Sequence, residues 1–406
     1  MTRDERQKLG IKKWIAVNGC GSICYATGVG KTRTALKAVQ ILCKKRPILN
    51  VLVVVPTLFL KQQWLGLIMN AGLIQNCDVE VINTVIKKQW NTDFLIVDEC
   101  HRMASDTFSA LFNSVTYTFI MCLTATLERL DGKEVIIKKY APVCDTITLN
   151  EALENKWVAP VKNYLVLLHV DLTKYKELNK KFNSYFAFFQ WDFGIAMDAL
   201  QNWKFRNKYA KEIGSTPKQV LAQAAQWMKS LHARKDFIEN HPKKIEICRK
   251  ILDARKDKKC ITFCPTIKFA ESIKRGITLH SGKKESENKK AIDDFNNATY
   301  GVLNSSKALN EGVDIKGLSV GIRMNINSSK ITTTQTTGRI CRFEPGKTAE
   351  MFTLVIADTQ EIKWFANSNT SDYIIIDSED KLNKVLNYED IQSRQIQFNT
   401  DYNNRF

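Results

Sequence analysis

Residues 21–37 read GSICYATGVGKTRTALK, which predicts a short apolar strand, a tight glycine turn and the start of a helix. Gly28 and Gly30 allow the backbone to curl so that successive amide groups point inward at a phosphate. Lys31 follows where an ammonium reaches the β- and γ-phosphates, and the hydroxyl of Thr32 can bind Mg²⁺. The helix directs the positive end of its dipole at the same anion. The stretch therefore predicts a P-loop that binds ATP with Mg²⁺ through Thr27, Gly28, Val29, Gly30, Lys31 and Thr32.

Two positions near this loop leave alternatives open. Tyr25 stands where the strict P-loop pattern has a glycine, so a glycine-rich turn with a chance GKT is the competing interpretation. Gln7 lies upstream on a predicted amphipathic helix, where its amide could read an adenine edge. A solvated surface glutamine is the alternative for Gln7.

Apolar strands that alternate with helices follow the loop and predict a parallel α/β sheet. The run VLVVV ends at Pro56 and Thr57, and the next short strand ends near Asn83 and Thr84. The carboxyl ends of strands in such a sheet form the edge where ligands bind. We therefore expect these four residues to face a ligand at that edge.

The sequence FLIVDECH places Asp98 and Glu99 directly after four apolar residues. A carboxylate at a strand end can hold Mg²⁺, and its neighbour can orient the attacking water of ATP hydrolysis. We predict that Asp98 takes the first role and Glu99 the second, with His101 beside the γ-phosphate region. A further buried strand ends in LTAT, where the hydroxyls of Thr124 and Thr126 could bridge a cleft or simply end the strand.

A second alternating pattern begins at KKCITFCPT, and its first strand ends at Thr266, a further sheet-edge position for a backbone phosphate. The later segment TQTTGRICR places Gln335, Arg339 and Arg342 on one face of a predicted helix. A guanidinium presented to the γ-phosphate acts as an arginine finger. A salt-bridged helix face is the alternative for this segment.

The composition points to a polyanionic partner. The 406-residue chain carries 60 Lys and Arg against 42 Asp and Glu, a formal net charge of +18. No apolar run reaches the length of a membrane span, and the charged start MTRDERQK is not a signal peptide. The 11 cysteines are scattered without a CxxC pair, which favours reduced thiols over a zinc site. We expect a cytoplasmic protein, at the nucleoid or in the host cytoplasm if a phage encodes it.

The order ATGVGKT, VVVPT, VDECH, LTAT and ERLDG resembles the core of superfamily 2 helicases. The ERLDG extension and the later NEALENKWVAP are similar to the branch that contains XPB, the phage helicase UvsW and the type I restriction motors. Leu127 replaces the proline that follows TAT in most relatives. The resemblance implies an α/β fold with two tandem RecA-like P-loop domains and a helical insert between them.

The implied domains are an ATP-binding domain over 1–150, a linker and helical insert over 151–255, a second RecA-like domain over 256–367 and a polar tail over 368–406. The role of the tail cannot be read from its residues. Because a short segment precedes the P-loop, we expect no N-terminal DNA-binding domain like that of UvsW.

The resemblance also implies a DNA helicase or translocase in which ATP opens and closes two lobes to unwind or branch-migrate forked or junction DNA. In the second lobe it implies that Asp314 and Gln335 contact the nucleotide and that Arg339 and Arg342 act in catalysis. LNEGVDIKG resembles the motif that links nucleotide and nucleic acid in this family. The candidate nucleic-acid contacts are Pro56, Thr57, Asn83, Thr84, Trp191, Trp203, Thr266, His280, Ser281, Glu311 and Gly312.

Three alternatives remain at this point. An RNA helicase would share the core, although relatives that act on RNA usually read DEAD and SAT where this chain has DECH and TAT. A restriction-type motor would need nuclease and specificity partners, and no nuclease motif is visible. A nucleic-acid sensor without catalysis would have lost a catalytic group, whereas Lys31, Glu99 and Arg342 are all present.

The region between the two patterns, from about Thr173 onward, is helical, basic and aromatic. Trp191, Trp203, Phe205 and Trp227 lie among Lys and Arg and could stack on bases or wedge a duplex junction. Burial in a helical core is the default interpretation of aromatic residues at such spacing. Our hypothesis is that this insert engages a DNA branch point.

Overall fold

A computed structural model of the chain describes residues 1–104, 108–127, 132–280, 282–306, 315–324, 326, 348–368 and 373–389. Two parallel β-sheets with helices packed against them form two lobes, which confirms the predicted α/β class. Among the described residues, no helix combines the length and apolar character needed to cross a bilayer.

The first lobe is built on a six-stranded parallel sheet in the order β3-β2-β4-β5-β1-β6. Its strands are β1 (Cys20–Tyr25), β2 (Val51–Val55), β3 (Cys77–Val81), β4 (Trp90–Asp98), β5 (Val115–Thr124) and β6 (Val143–Ile147). Apolar side chains fill both faces of the central strands, as in β2, where all five residues are buried. Because the strands are parallel, their carboxyl ends share one edge, and this edge carries the ends of β1, β4 and β5.

Helices connect these strands and cover the sheet. They are α1 (Arg3–Ala16), α2 (Lys31–Lys45), α3 (Leu58–Asn70), α4 (Ile82–Val85), α5 (Leu111–Ser114), α6 (Glu134–Tyr140) and α7 (Leu149–Glu154). Thr2 and Glu5 form a capping box at the start of α1, and the Thr57 hydroxyl caps α3. These caps give hydrogen-bond partners to the first backbone N–H groups of the two helices.

The second lobe is built on a seven-stranded parallel sheet in the order β13-β7-β12-β11-β8-β10-β9. Its strands are β7 (Val161–Leu168), β8 (Lys259–Cys264), β9 (Ile277–Leu279), β10 (Gly301–Ser306), β11 (Leu318–Arg323), β12 (Ala349–Ile356) and β13 (Ile374–Ile376). The helices of this lobe are α12 (Pro242–Ala254), α13 (Ile267–Ser272), α14 (Glu285–Asn297), α15 (Gln360–Ser368) and α16 (Glu379–Leu386). The numbers α8 to α11 belong to the four helices of the insert between β7 and β8, which is described below.

The predicted boundaries of the second domain are too narrow. β7, which we assigned to the linker, lies inside the second sheet between β13 and β12, and α12 packs on the same lobe. β13 and α16 come from the segment that we assigned to the tail. The buried Arg255 guanidinium binds Glu350 at 2.7 and 3.0 Å and the carbonyl of Leu386 at 2.7 Å, so α16 is anchored to the lobe. Chain position alone does not show this, because parallel strands pair across long stretches of sequence.

The insert is a separate helical unit placed between β7 and β8, both of which belong to the second sheet. It consists of α8 (Thr173–Ala187), α9 (Phe193–Gln201), α10 (Trp203–Glu212) and α11 (Pro217–Glu239). It has its own apolar core, with Phe189 and Trp227 fully buried. The insert is therefore helical and aromatic as predicted. Its helices occupy residues 173–239, a shorter range than the predicted 151–255.

Candidate functional site

The predicted P-loop is a tight turn between β1 and α2. Gly28 and Gly30 have φ angles of 91° and 99°, in the left-handed region that favours glycine. A Cβ added at Gly28 would lie 3.2 Å from Val158 Cγ1, so this loop also packs closely against the segment that leads into β7. Gly30 is the N-cap of α2, which places the helix start directly after the turn. This geometry matches an anion site formed by backbone amides and a helix N-terminus.

Lys31 spans the loop from its far end. Its Nζ donates to the carbonyl oxygen of Tyr25 at 3.3 Å, so the ammonium lies across the loop. Thr32 follows on the first turn of α2 and is half-buried. A phosphate group in the turn would offer the Lys31 ammonium a charged acceptor in place of a neutral carbonyl, which makes a stronger hydrogen bond.

Asp98 ends β4 at the same sheet edge and is buried. Its Oδ2 accepts from Trp64 Nε1 at 2.8 Å, and its Oδ1 accepts from the backbone N–H of Glu99 at 2.9 Å. Burial, with the neighbouring Glu99 charge as a second cause, raises the pKa of Asp98 to about 6. A cation beside this carboxylate would lower its pKa and favour the charged form. Asp98 is therefore well placed to act as a metal ligand.

Glu99, His101 and Thr124 join two motifs that the sequence presents separately. Glu99 directly follows β4 and has a φ of 48°, an uncommon left-handed conformation for a residue with a side chain. Its Oε2 lies 3.4 Å from His101 Nδ1, which in turn lies 3.1 Å from Thr124 Oγ1. The Thr124 hydroxyl donates to the Thr126 carbonyl at 2.6 Å. Thr124 therefore serves inside the first lobe, where it links DECH to TAT.

Gln7 is buried beside the P-loop. Its side chain is 1% exposed, so the solvated alternative is wrong. The amide Nε2 donates to the Val29 carbonyl at 2.8 Å, and its Oε1 accepts from Lys37 Nζ at 2.9 Å. The amide thus supports the P-loop from α1, and the adenine contact stays a prediction.

A buried polar network accounts for the tyrosine at position 25, where the strict P-loop pattern has a glycine. Its hydroxyl donates to Asp145 Oδ2 at 2.7 Å, while Arg6 on α1 donates to both oxygens of that carboxylate, at 2.5 and 3.1 Å. Lys13 adds a third donor at 2.6 Å, and Arg6 also binds Glu151 at 2.9 Å. Burial alone would raise the pKa of Asp145, but these donors outweigh it and hold the pKa below its usual value.

Two protein-family models match parts of the chain. Residues 2–89 and 72–129 match "Type III restriction enzyme, res subunit", and residues 243–344 match "Helicase conserved C-terminal domain". The chain is 27% identical over 384 residues to the DNA 3'-5' translocase XPB2 of Sulfurisphaera tokodaii, which spans 88% of this chain and 82% of that protein.

Solved structures share the fold. The helicase domain of Pyrococcus furiosus Hef has a TM-score of 0.55 at 15% identity, covering 90% of this chain and 98% of that chain. Saccharomyces cerevisiae Dbp5 bound to RNA has a TM-score of 0.57 at 14% identity, covering 91% and 89%. The two family matches and the XPB2 relative identify the chain as a superfamily 2 helicase. As in that family, its two lobes are RecA-like domains, and the enzyme hydrolyses ATP.

The helicase presents several candidate nucleic-acid contacts at the sheet edges. Asn83 and Thr84 are exposed on α4, after β3. Thr57 caps α3, and Thr266 caps α13 while its hydroxyl also donates to Asn240 Oδ1 at 3.3 Å. Pro56 is half-buried before Thr57. These positions offer short polar groups and helix starts to a ligand, which is how backbone phosphates are commonly bound.

Other candidates are less accessible or lie elsewhere. His280 is largely buried, and its Nδ1 accepts from the Gly282 N–H at 3.1 Å, so its ring serves its own turn. Trp191 and Trp203 of the insert are 56% and 63% exposed. The candidates that fall outside the described residues are Ser281, Glu311, Gly312, Asp314, Gln335, Arg339 and Arg342.

Several residues of the helicase site escaped the sequence analysis. Trp64 orients Asp98, and Arg6 and Asp145 support Tyr25, yet none belongs to a motif that we recognised. The unusual Tyr25 was the available signal, because a tyrosine directed into an apolar sheet needs a polar partner for its hydroxyl.

Proposed function

We propose that the protein is an ATP-driven DNA translocase that unwinds or branch-migrates forked or junction DNA. The observation that carries the proposal is the placement of Lys31, Asp98 and Glu99 at one edge of the first sheet, next to a second α/β lobe. The relative named a DNA 3'-5' translocase supports DNA as the substrate. The net charge of +18 fits a partner that is a polyanion.

In this proposal the first lobe binds the nucleotide through its P-loop. The amides of residues 27–32 surround the β- and γ-phosphates, and Lys31 exchanges the Tyr25 carbonyl for a phosphate oxygen. The hydroxyl of Thr32 and the carboxylate of Asp98 are oxygen donors that suit Mg²⁺. When bound, Mg²⁺ neutralises charge on the phosphate oxygens. Glu99 orients the attacking water from its position directly after β4, where its Oε2 lies 3.4 Å from His101 Nδ1.

The second lobe completes the site in its closed state. By the family resemblance, Gln335, Arg339 and Arg342 face the nucleotide, and an arginine finger contributes about 10³-fold or more to the rate. Closure with ATP and reopening after hydrolysis would move the two sheet edges relative to each other. If Thr57, Asn83 and Thr84 on one lobe and Thr266 on the other hold backbone phosphates, this motion advances the protein along a strand without reading its bases.

The insert supplies the element that acts on a branch point. Trp191 and Trp203 flank the two ends of α9 and are both exposed, whereas Trp227 lies in the core of the insert. Gln190 and Trp191 have φ angles of 54° and 60°, so two successive residues with side chains hold the strained left-handed conformation. Residues 173–239 carry twelve Lys and Arg against six Asp and Glu. A strained turn that presents an indole on a basic surface fits a platform for unstacked bases.

The test is ATPase and unwinding activity with single-stranded, duplex, forked and four-way DNA beside matching RNAs. We expect the strongest stimulation by forked or four-way DNA, and no stimulation of Lys31→Ala. Binding should weaken steeply as salt rises, because phosphate contacts release counterions. Preferential stimulation by RNA would favour the RNA helicase, and activity that needs an added nuclease subunit would favour the restriction-type motor.

A further inference from the structure

We propose that α1 is a clamp that holds the P-loop at two points, with Arg6, Gln7, Tyr25 and Asp145 as positioning residues for phosphate binding. The inference rests on the P-loop assignment of the proposed function. It assigns a role to the tyrosine that replaces the first glycine of the motif and changes the role expected of Gln7.

The first point of the clamp is Tyr25, where the P-loop begins. The hydroxyl of Tyr25 reaches Asp145 on β6, and Arg6 reaches the same carboxylate from α1. The carbonyl of Tyr25 is the group that receives the Lys31 ammonium. Tyr25 therefore connects two parts of the site. Its side chain contacts the Asp145 carboxylate shared with α1, and its backbone carbonyl contacts the catalytic lysine.

The second point is Val29, in the middle of the loop. Gln7 donates to the Val29 carbonyl, and Lys37 on α2 holds the other end of the amide while also pairing with Asp4 on α1. The Gln7 amide is thus fixed at both ends. A Cβ at Gly30 would lie 2.7 Å from Gln7 Nε2, so the helix and the loop are in close contact here.

The shape of α1 is adapted to this contact. A Cβ added at Gly10 would lie 1.8 Å from the Tyr25 hydroxyl and 2.8 Å from Asp145 Oδ2, so a side chain there would displace the tyrosine or the helix. Arg6, Gln7, Tyr25 and Asp145 are each at most 5% exposed. Buried polar groups that satisfy one another define one arrangement and resist rearrangement. The clamp therefore preorganises the loop amides before the phosphates arrive, which lowers the ordering cost of binding.

Base recognition and loop positioning by Gln7 make different forecasts. If Gln7 reads adenine, its loss weakens binding of ATP and spares a ligand without a base. If Gln7 acts through Val29, its loss weakens binding of inorganic tripolyphosphate as much as that of ATP. Tyr25 lies at the phosphate end of the site, so its substitution should affect both ligands in the same way.

The experiment measures dissociation constants of a fluorescent N-methylanthraniloyl ATP with Mg²⁺ and its displacement by tripolyphosphate, without nucleic acid. The full chain is compared with Tyr25→Phe, Gln7→Met and Lys31→Ala. Ser22→Ala is the matched control, because it removes a buried hydrogen bond of 2.6 Å to the Ala141 carbonyl from the same strand. ATPase assays then separate KM from kcat.

We expect Tyr25→Phe and Gln7→Met each to raise both dissociation constants and the KM for ATP about five- to tenfold. The kcat at saturating ATP should change less than twofold. Ser22→Ala should lower the melting temperature with unchanged affinity. If Tyr25→Phe and Gln7→Met bind both ligands like the wild type, the clamp is wrong, and if Gln7→Met loses ATP affinity alone, Gln7 is an adenine reader. If Lys31→Ala also binds normally, the ATP site itself is misassigned, which separates that failure from this one.

Discussion

The ATP site and the insert break the usual pattern of burial in opposite ways. Around the P-loop, charged and polar side chains are buried, with Arg6 5% and Asp145 4% exposed. In the insert, Trp191 and Trp203 are large apolar side chains that remain more than half exposed. Buried polar groups and exposed large apolar groups are the informative exceptions in a folded chain. The first arrangement fits a rigid site for a small anion, and the second fits a surface for a partner that brings its own aromatic rings.

Backbone strain occurs at both places but serves different ends. Glu99 takes its left-handed conformation directly after a buried strand, where its backbone N–H donates to Asp98 Oδ1 and its carboxylate lies near His101. Gln190 and Trp191 take theirs in an exposed turn between α8 and α9. Strain persists where the surrounding fold enforces it, and it clusters at functional positions. The comparison therefore predicts large catalytic effects at the first site and selective effects on unwinding at the second.

The largest expected effect is at Glu99. Glu99→Gln should reduce kcat for ATP about 10²- to 10⁴-fold, because the amide cannot accept the proton of the attacking water. Nucleotide affinity should be retained, since the phosphate-binding groups are unchanged. Steady-state ATPase and nucleotide titration measure the two quantities, with the exposed Glu154→Gln as control. Hydrolysis at the wild-type rate by Glu99→Gln would contradict the assignment.

Trp227 tests the buried side of the insert. Trp227→Ala should lower the free energy of unfolding by about 3–5 kcal/mol, because it opens a cavity in a core where the indole packs on Phe186 and Phe189. Thermal or denaturant unfolding of the insert provides the measurement. A loss below about 0.5 kcal/mol would mean that the insert has no packed core of its own.

Gly10 tests the contact between α1 and the P-loop. Gly10→Ala should destabilise the first lobe by about 1–3 kcal/mol, because its methyl group collides with the Tyr25 hydroxyl. Gly66→Ala on α3 is the matched control, since a Cβ there meets nothing within 4 Å. In a helix interior that control should stabilise by about 0.5–1 kcal/mol. If unfolding curves show that Gly10→Ala destabilises the protein while Gly66→Ala stabilises it, the loss comes from the contact with Tyr25. If both substitutions change the free energy of unfolding in the same direction, the proposed contact is not the cause.

The smallest effect on stability, and the most selective on function, is expected at the exposed indoles. Trp191→Ala and Trp203→Ala should each change unfolding by less than about 0.5 kcal/mol. Each should slow fork unwinding while DNA-stimulated ATPase is kept, because stacking contributes about 1–3 kcal/mol per base. Tyr300→Ala, an aromatic residue of similar exposure on the second lobe, is the control. Normal unwinding by both Trp variants would leave the insert without the proposed role.

Much of the site could be predicted because its chemistry lies in short, continuous stretches. The P-loop needs its glycines, Lys31 and Thr32 within a few residues, and Asp98 and Glu99 directly follow a strand. A strand followed by a turn and a helix start is a local structure, so the motif and its geometry are encoded together. The alternation of strands and helices likewise predicted two parallel α/β lobes, since that pattern has few other solutions.

The domain boundaries and the division of the tryptophans could not be predicted in this way. β7 pairs with β12 across the whole insert and most of the second lobe, and no local feature marks that partner. Trp191, Trp203 and Trp227 occur in similar basic and aromatic surroundings, yet one is buried and two are exposed. Burial depends on which helices pack together, which is a property of the assembled insert.

By itself, the sequence determined that this protein carries a nucleotide site of the helicase type, because phosphate and metal chemistry needs particular residues at short spacings. The tertiary structure alone decided what supports that site. Arg6 and Asp145 are separated by most of the first lobe in sequence, and their pairing with Tyr25 exists because α1 packs against both β1 and β6, which are neighbours in the sheet. Catalytic groups are specified locally, whereas their partners are chosen by packing, and packing brings together residues that the chain keeps far apart.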